Sequence, residues 1–207
     1  MARPGFGRGN EPRATRSRIT HLDRDRPLVE AARIDPQRFE ALYRRYLAQV
    51  YNFAFYELGD HHAAEDATER TFLAALANLG RFEERARPAD GEGASTFRVW
   101  LFRIARNVIA NERRHLRRHV TTDIDAAVGV RDASNPEDEA AGREAAADAW
   151  RAVARLPIDR RRAIVLRFVH EMSTAEIAGV LGRTEGAVRV LLHRALRSVA
   201  RDLGRDR

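Results

Sequence analysis

The chain has 207 residues, 44% of them hydrophobic and 32% charged, which is material for one medium domain or two small cores. It contains no cysteine, excluding disulfides, thiolate metal sites and a cysteine nucleophile, and no apolar run near the roughly 20 residues of a membrane helix. The 37 basic residues are all Arg and outnumber 30 acids, leaving a formal charge of +7 that attracts polyanions.

Residues 1–26 carry seven Arg, with Pro4, Gly5, Gly7, Gly9 and Pro12 among them and no hydrophobic period, which predicts a flexible basic tail. No apolar segment follows its Arg residues, so a secretory signal is not expected and the predicted location is cytoplasmic. Asp35-Pro36 reads as a helix start. Phe39, Leu42, Tyr43, Tyr46, Val50 and Phe53 then recur at three- and four-residue steps, predicting a helix to about Leu58 that Gly59 closes. Asp60 caps a second helix from His61 to about Leu79, with Ala64, Ala67, Phe72, Leu76 and Leu79 inward. Glu83–Ala94, with Pro88, Gly91 and Gly93, reads as a loop. Ser95 or Thr96 caps a third helix reaching about His119.

Residues 27–119 thus read as a three-helix domain. An acidic linker is predicted over 120–146. Between 120 and 148 eight acids face two bases, a net of −6, and the far end turns helical near Ala140. A second helical domain covers 147–204. The predicted fold class is all-α: two small helical domains, a three-helix bundle and a helix-turn-helix unit, joined by a flexible acidic linker.

Two helices could meet DNA. In the second domain, Ser173-Thr174-Ala175-Glu176 is a capping box. Ile177, Val180 and Leu181 form an apolar side, Leu181-Gly182-Arg183 makes a turn, and Thr184 caps an Arg-rich helix. This is the helix-turn-helix pattern. At about 100° per residue, Val188, Leu191, Leu192, Ala195 and Val199 share one side of that helix. Gly186, Arg189, Val190, His193, Arg194 and Arg197 share the other. Arg189 and His193 lie where recognition helices meet base edges, and Arg194 and Arg197 suit phosphates.

In the first domain, Phe97, Leu101, Ile104 and Val108 form the expected buried stripe of the third helix, with Trp100 at its edge. Arg103, Asn107, Asn111, Arg114 and Arg118 line another side, flanked by Arg106 and Arg117. Asn can hydrogen-bond a base while Arg holds the backbone, and two Asn in mid-helix want a reason because Asn is a poor helix former.

At these residues the chain resembles a bacterial RNA polymerase sigma factor of the extracytoplasmic-function (ECF) subfamily. The resemblance rests on Phe39-Glu40-Ala41-Leu42-Tyr43, Ala64-Glu65-Asp66-Ala67, Thr71-Phe72-Leu73, Ser95-Thr96-Phe97 and Trp100 to Asn107. In the second domain it rests on Leu156-Pro157 with Arg162, Ser173 to Ala178, and Gly186-Ala187-Val188-Arg189 to Ala195. It implies sigma region 2 followed by sigma region 4. The Ala64–Leu76 helix, through Glu65, Asp66, Glu69, Arg70 and Phe72, would dock on the clamp coiled coil of core RNA polymerase. Asn107, Asn111 and the Glu83–Ala94 loop would hold a base of the single-stranded −10 element, with Arg103, Arg106, Arg114 and Arg118 beside them. The helix from Thr184 would enter duplex DNA at the −35 element, and the second domain would also grip the polymerase flap tip. The acidic linker suits a basic channel. An anti-sigma factor is a further partner in many relatives; no catalytic residue, cofactor, metal or membrane insertion is implied. The chain has Glu69-Arg70 where relatives usually carry Gln-Glu, reversing a charge in the docking helix.

Two other readings compete. His61, His62, Glu65 and Asp66, or His115 and His119, have helical spacing for metal ligands and would suit a hydrolase. A stand-alone helix-turn-helix repressor explains 147–204 but leaves the Arg103–Arg118 line without a task.

Overall fold

The computed structural model describes residues 23–87, 90, 92, 94–119 and 138–205, with side chains at all of these except 116–119, 138–145 and 205. The helices are α1 (Arg26–Ile34), α2 (Phe39–Leu58), α3 (His61–Asn78), α4 (Phe97–His119), α5 (Asp138–Ala154), α6 (Ile158–Ile164), α7 (Thr174–Leu181) and α8 (Glu185–Arg205). Among the described residues there is no strand. Residues 1–22 of the predicted tail and residues 120–137 of the linker lie outside the described residues.

The first bundle is built by α2, α3 and α4 around Leu42, Tyr46, Val50, Phe53, Phe97, Leu101 and Phe102, all without solvent exposure. Helix ends follow local chemistry. The Asp60 carboxylate accepts the Ala63 N–H at 2.8 Å and starts α3, and Gly59 ends α2 in the left-handed conformation at φ 73°.

The predicted stripes need three corrections. Tyr43 and Leu76 face outward, because they stand at the rim of an open groove between α2 and α3. Leu79 is buried, but from a 3-10 turn after α3. On α4 the buried side is Phe97, Leu101, Phe102, Ala105 and Ile109, while Ile104 and Val108 are half-buried on the neighbouring side. Helix α4 is covered twice, by α2 and α3 and again by α7.

Helix α1 and the residues before it do not follow from hydrophobic period. Asp23–Arg26, the end of the stretch read as tail, is packed into the first bundle. The Tyr46 hydroxyl donates to Asp23 at 3.0 Å and also to the fully buried Asp25, whose other oxygen meets Arg45 Nε at 3.0 Å. Burial pushes the Asp25 carboxyl above its ordinary value, opposed by the Tyr46 hydrogen bond and the Arg45 charge. The Ser95 N–H donates to the Asp23 carbonyl at 2.8 Å, and Arg26 donates to the carbonyls of Ala94 (3.2 Å) and Ala86 (3.0 Å). The segment therefore straps the loop before α4.

In the second unit, α6 runs into a π-turn at Val165–Val169, after which Ser173 and Glu176 form the predicted capping box at 3.2 and 2.8 Å. Gly182 makes the turn at φ 66°, a conformation that costs other residues roughly 1–2 kcal/mol. Thr184 Oγ1 accepts the Ala187 N–H at 3.2 Å and starts α8.

The two units pack against each other. Leu166, Met172, Ile177, Val180 and Val188 continue the same apolar core as Phe53 and Phe102. The neutral His170 ring lies edge-on to Phe53 and Phe102, at centroid distances of 6.0 and 5.1 Å. Burial first, and Arg98 second, push its pKa down to about 3. Helices α4 and α7 approach so closely that a Cβ on Gly179 would stand 2.7 Å from Val99 Cγ1.

Candidate nucleic-acid interfaces and docking groove

On α4, Arg103, Asn107, Asn111 and Arg114 are exposed, spread over about 16 Å at 1.5 Å per residue. Arg118 lies beyond the described side chains. Arg106 Nη2 donates to Asn107 Oδ1 at 3.2 Å, and Arg114 Nη2 donates to Asn111 Oδ1. Each amide oxygen is thus held by a guanidinium, and each NH2 group is left to donate outward. Arg106 is different from its neighbours. It is partly buried and donates to the Val180 carbonyl at 2.8 Å, so it is spent on the contact between the two units.

The start of α4 is fixed from the preceding loop. Glu84 Oε1 accepts from Thr96 N (2.8 Å), Thr96 Oγ1 (2.9 Å), Arg85 N (2.9 Å) and Ala86 N (3.0 Å). Burial alone would raise this carboxyl, but hydrogen bonds from Ser95, Ala86 and Thr96 outweigh it together and hold it below the usual range. Ser95, one of the two residues expected to cap the helix, accepts the Phe97 N–H at 3.1 Å. A depressed carboxyl stabilises above its unfolded value and loses that contribution as pH falls through the folded one. Glu84→Ala is therefore expected to cost about 1 kcal/mol near pH 7, with the gap to wild type closing below pH 4.5; thermal unfolding at pH 7 and pH 3 checks this.

On α8, Gly186, Arg189, Val190, His193, Arg194 and Arg197 are exposed together with Thr184, while Val188 and Ala195 are buried. Leu191, Leu192 and Val199 are half-buried against the rest of the unit. The face expected from helical geometry is the face the fold presents. Glu185 lies 3.7 Å from Arg189, one turn away.

The residues expected to dock on the polymerase divide into two groups. Glu65, Asp66 and Glu69 are exposed. Phe72 is buried, its ring edge-on to Tyr43 at 4.8 Å and to Phe39 at 6.4 Å, and it forms the floor of a groove rather than a protruding contact. Arg70 donates to Glu112 of α4 at 2.6 Å and lies 4.0 Å from Asp66. Its reversed charge is therefore absorbed by the nearly buried Glu112, within the bundle. Sequence reading missed the groove itself. Between α2 and α3, Tyr43 (39% exposed), Leu47 (36%), Leu73 (58%) and Leu76 (40%) surround it over the Phe39–Phe72 floor, and Glu40, Glu65 and Glu69 also line it. A helix-period count assigns a face but not the neighbour that makes two faces into a groove.

Among the described residues the histidines do not gather into a ligand set. His61 stacks on Phe55 (4.4 Å) and meets the Tyr51 hydroxyl at 2.5 Å, while His62 is solvated 3.8 Å from Glu65. Among the described residues no group of three or more His, Asp or Glu is placed to hold a metal ion. His119 lies beyond the described side chains.

Charge ties the two units as well. Glu57 of α2 is fully buried, with Arg162 of α6 at 3.1 Å and Arg113 of α4 at 3.3 Å. Burial pushes its carboxyl up, against the pull of Arg162, Arg161 and Arg113. Arg98 of α4 spans Asp23 (3.6 Å), Glu176 (3.8 Å) and the His170 carbonyl.

An all-helical chain with an exposed amide-and-guanidinium line on one bundle and a helix-turn-helix on the other has the build of a DNA-binding protein. The description "Sigma-70 region 2" matches residues 42–119, and "Sigma-70, region 4" matches 147–199. The chain is 36% identical to the ECF RNA polymerase sigma factor SigL of Mycobacterium tuberculosis, over 84% of this chain and 95% of SigL. It is also 36% identical to the ECF sigma factor BldN of Streptomyces coelicolor, over 86% of this chain and 66% of BldN. Its fold is that of RpoE from Bartonella quintana, solved with the anti-sigma factor NepR (TM-score 0.63, 24% identity, 82% of this chain and 98% of that one). A similar match is CnrH, solved with the cytosolic domain of CnrY (TM-score 0.62, 24% identity, 89% of this chain and 100% of that one). The chain belongs to the ECF RNA polymerase sigma factors, and its partners are core RNA polymerase and promoter DNA. Among the described residues no helix is long and apolar enough to cross a membrane.

Proposed function

We propose that the chain directs core polymerase to promoters by placing α4 on the single-stranded −10 element and α8 in the major groove of the −35 element, without catalysis of its own. The observation that carries this reading is the pair of exposed, Arg-flanked faces, one on each unit, that stand outside the apolar core the two units share. Asn107 and Asn111 direct amide donors to a base edge, with Arg103 and Arg114 on the backbone. Arg189, Val190 and His193 meet base edges in duplex DNA, and Arg194 and Arg197 meet phosphate. The acid-rimmed apolar groove of α2 and α3 takes the polymerase clamp, and the second unit the flap tip. An anti-sigma factor, the kind of partner with which RpoE of Bartonella quintana was crystallised, would compete for the same groove.

As the chain is folded here, one flank of the α4 line is taken up between the two units. Arg106 is held by the Val180 carbonyl, and α7 covers one side of α4. Freeing Arg106 for the −10 strand requires the two units to part, and docking on the polymerase would supply the energy and the spacing. Asn107→Ala is the direct test of the −10 assignment. It is expected to lower promoter opening about tenfold, the worth of a base contact of ~1.4 kcal/mol, with core binding unchanged. Permanganate footprinting of thymines beside a core-binding titration measures both, and equal loss of the two would remove Asn107 from the site.

A further inference from the structure

Three consecutive arginines lie in the middle of α6, and the fold uses them differently. Arg162 reaches across to Glu57 of the first unit. Arg161 Nη1 donates to the Ala154 carbonyl at 3.1 Å, closing the end of α5. Arg160 turns to α8, where its nearest partner is the Ser198 hydroxyl at 3.4 Å. There it joins His193, Arg194, Arg197 and Arg201 around a cleft of about 520 Å³ that is open to solvent. Among the described residues none of these four arginines has a carboxylate within ion-pair distance. Arg183 and Arg189, near the start of α8, are paired with Asp159 and Glu185. Four guanidiniums converging without a counter-charge repel one another, and an external polyanion relieves that repulsion.

We propose that this cleft seats backbone phosphate of the −35 duplex, with Arg160 and Arg201 closing on a strand that Arg194 and Arg197 also touch. The proposal rests on the reading of α8 as the −35 helix and extends it to a second helix. Recognition helices meet bases with their N-terminal residues and backbone elsewhere along the element. Arg197 lies about 12 Å beyond Arg189 at 1.5 Å per residue, which places the cleft past the base-reading end. An open trough suits a strand passing through it. Arg160 is thus a positioning residue that carries no sequence information: it sets register and salt dependence, while Arg189 sets sequence preference.

The test uses the full chain bound to a −35 duplex, by fluorescence anisotropy across a salt series. Arg160→Ala and Arg201→Ala are each expected to weaken binding several-fold and to reduce the slope of log K against log salt by about one, the yield of one phosphate contact. Base preference should not change. Arg160→Gln, which keeps a donor to Ser198, should show the same loss of slope while its thermal unfolding matches wild type. Arg189→Ala runs in parallel and is expected to relax preference at one base position. If Arg189→Ala does so while the Arg160 variants keep the wild-type slope and affinity, the cleft proposal is overturned and the −35 assignment stands. If Arg189→Ala also leaves preference intact, the −35 assignment fails and the cleft proposal with it. Inorganic pyrophosphate, titrated by calorimetry, separates DNA backbone from a diffusible anion. Saturable binding that Arg160→Ala abolishes, with an unchanged DNA salt slope, would assign the cleft to the free anion and overturn the proposal.

Discussion

Replacing Glu57 by Ala is expected to part the two units. The carboxylate has no solvent exposure, and Arg162 and Arg113 beside it are largely buried. Removing one member of such a pair takes from Arg162 the carboxylate it reaches between the units, at a cost of about 3–5 kcal/mol. For Arg162 the escape is simple, because separation of the units returns it to water. The contact should therefore open rather than the bundles unfold. Dyes on α3 and α8 should report a longer distance by energy transfer, and far-UV helicity should hold. Arg113 lies within the same bundle as Glu57, so Arg162→Met isolates the part that acts between units and should give most of the opening. Gly179→Ala reaches the same end without touching charge. Its Cβ would stand 2.7 Å from Val99 Cγ1, and Val99 is stiff about χ1. Opening frees Arg106 from the Val180 carbonyl, so all three variants should bind a single-stranded −10 oligonucleotide more tightly than wild type. Unchanged distances in all three would mean that the contact does not rest on these groups.

What the sequence made legible was local. Asp60, the Ser173–Glu176 pair and Thr184 each cap the helix they were expected to cap, because a cap is decided by residues within four positions. The exposed side of α8 was legible because its buried side repeats at helical spacing. Long-range chemistry was not. Arg162 and Glu57 are 105 residues apart, and nothing in their neighbours pairs them. Tyr46 looked like one more apolar member of a stripe until Asp23 and Asp25 arrived from a segment with no hydrophobic period. Phe72 was read both as an inward residue and as a docking one; aromatic partners on α2 bury it, as the inward reading expects, and Leu73 and Leu76 stay outside. Arg70, a charge reversal in the sequence, becomes intelligible beside Glu112 of another helix.

Those two leucines carry the other large expected effect. Leu73 and Leu76 lie on one side of α3 and are 58% and 40% exposed, so the fold gains little from them. Across the groove stand Tyr43 and Leu47, over a floor of Phe39 and Phe72, with Glu40, Glu65 and Glu69 also lining it. An apolar surface of this kind, held open by rigid aromatic packing, suits a partner helix with apolar residues on one face and basic residues at its flanks. Leu73→Asp with Leu76→Asp places two more carboxylates where that helix would be desolvated. Each burial of an unpaired charge opposes docking, and the loss of two apolar contacts adds to it. Affinity for core polymerase is expected to fall at least 100-fold, about 2.7 kcal/mol. Thermal unfolding should shift little, and binding of the −35 duplex by the free chain should not change, because α8 belongs to the other unit. The contrast between the readouts is decisive. Equal loss of core and DNA binding would indicate misfolding, whereas intact core binding would show that polymerase docks elsewhere on the first bundle.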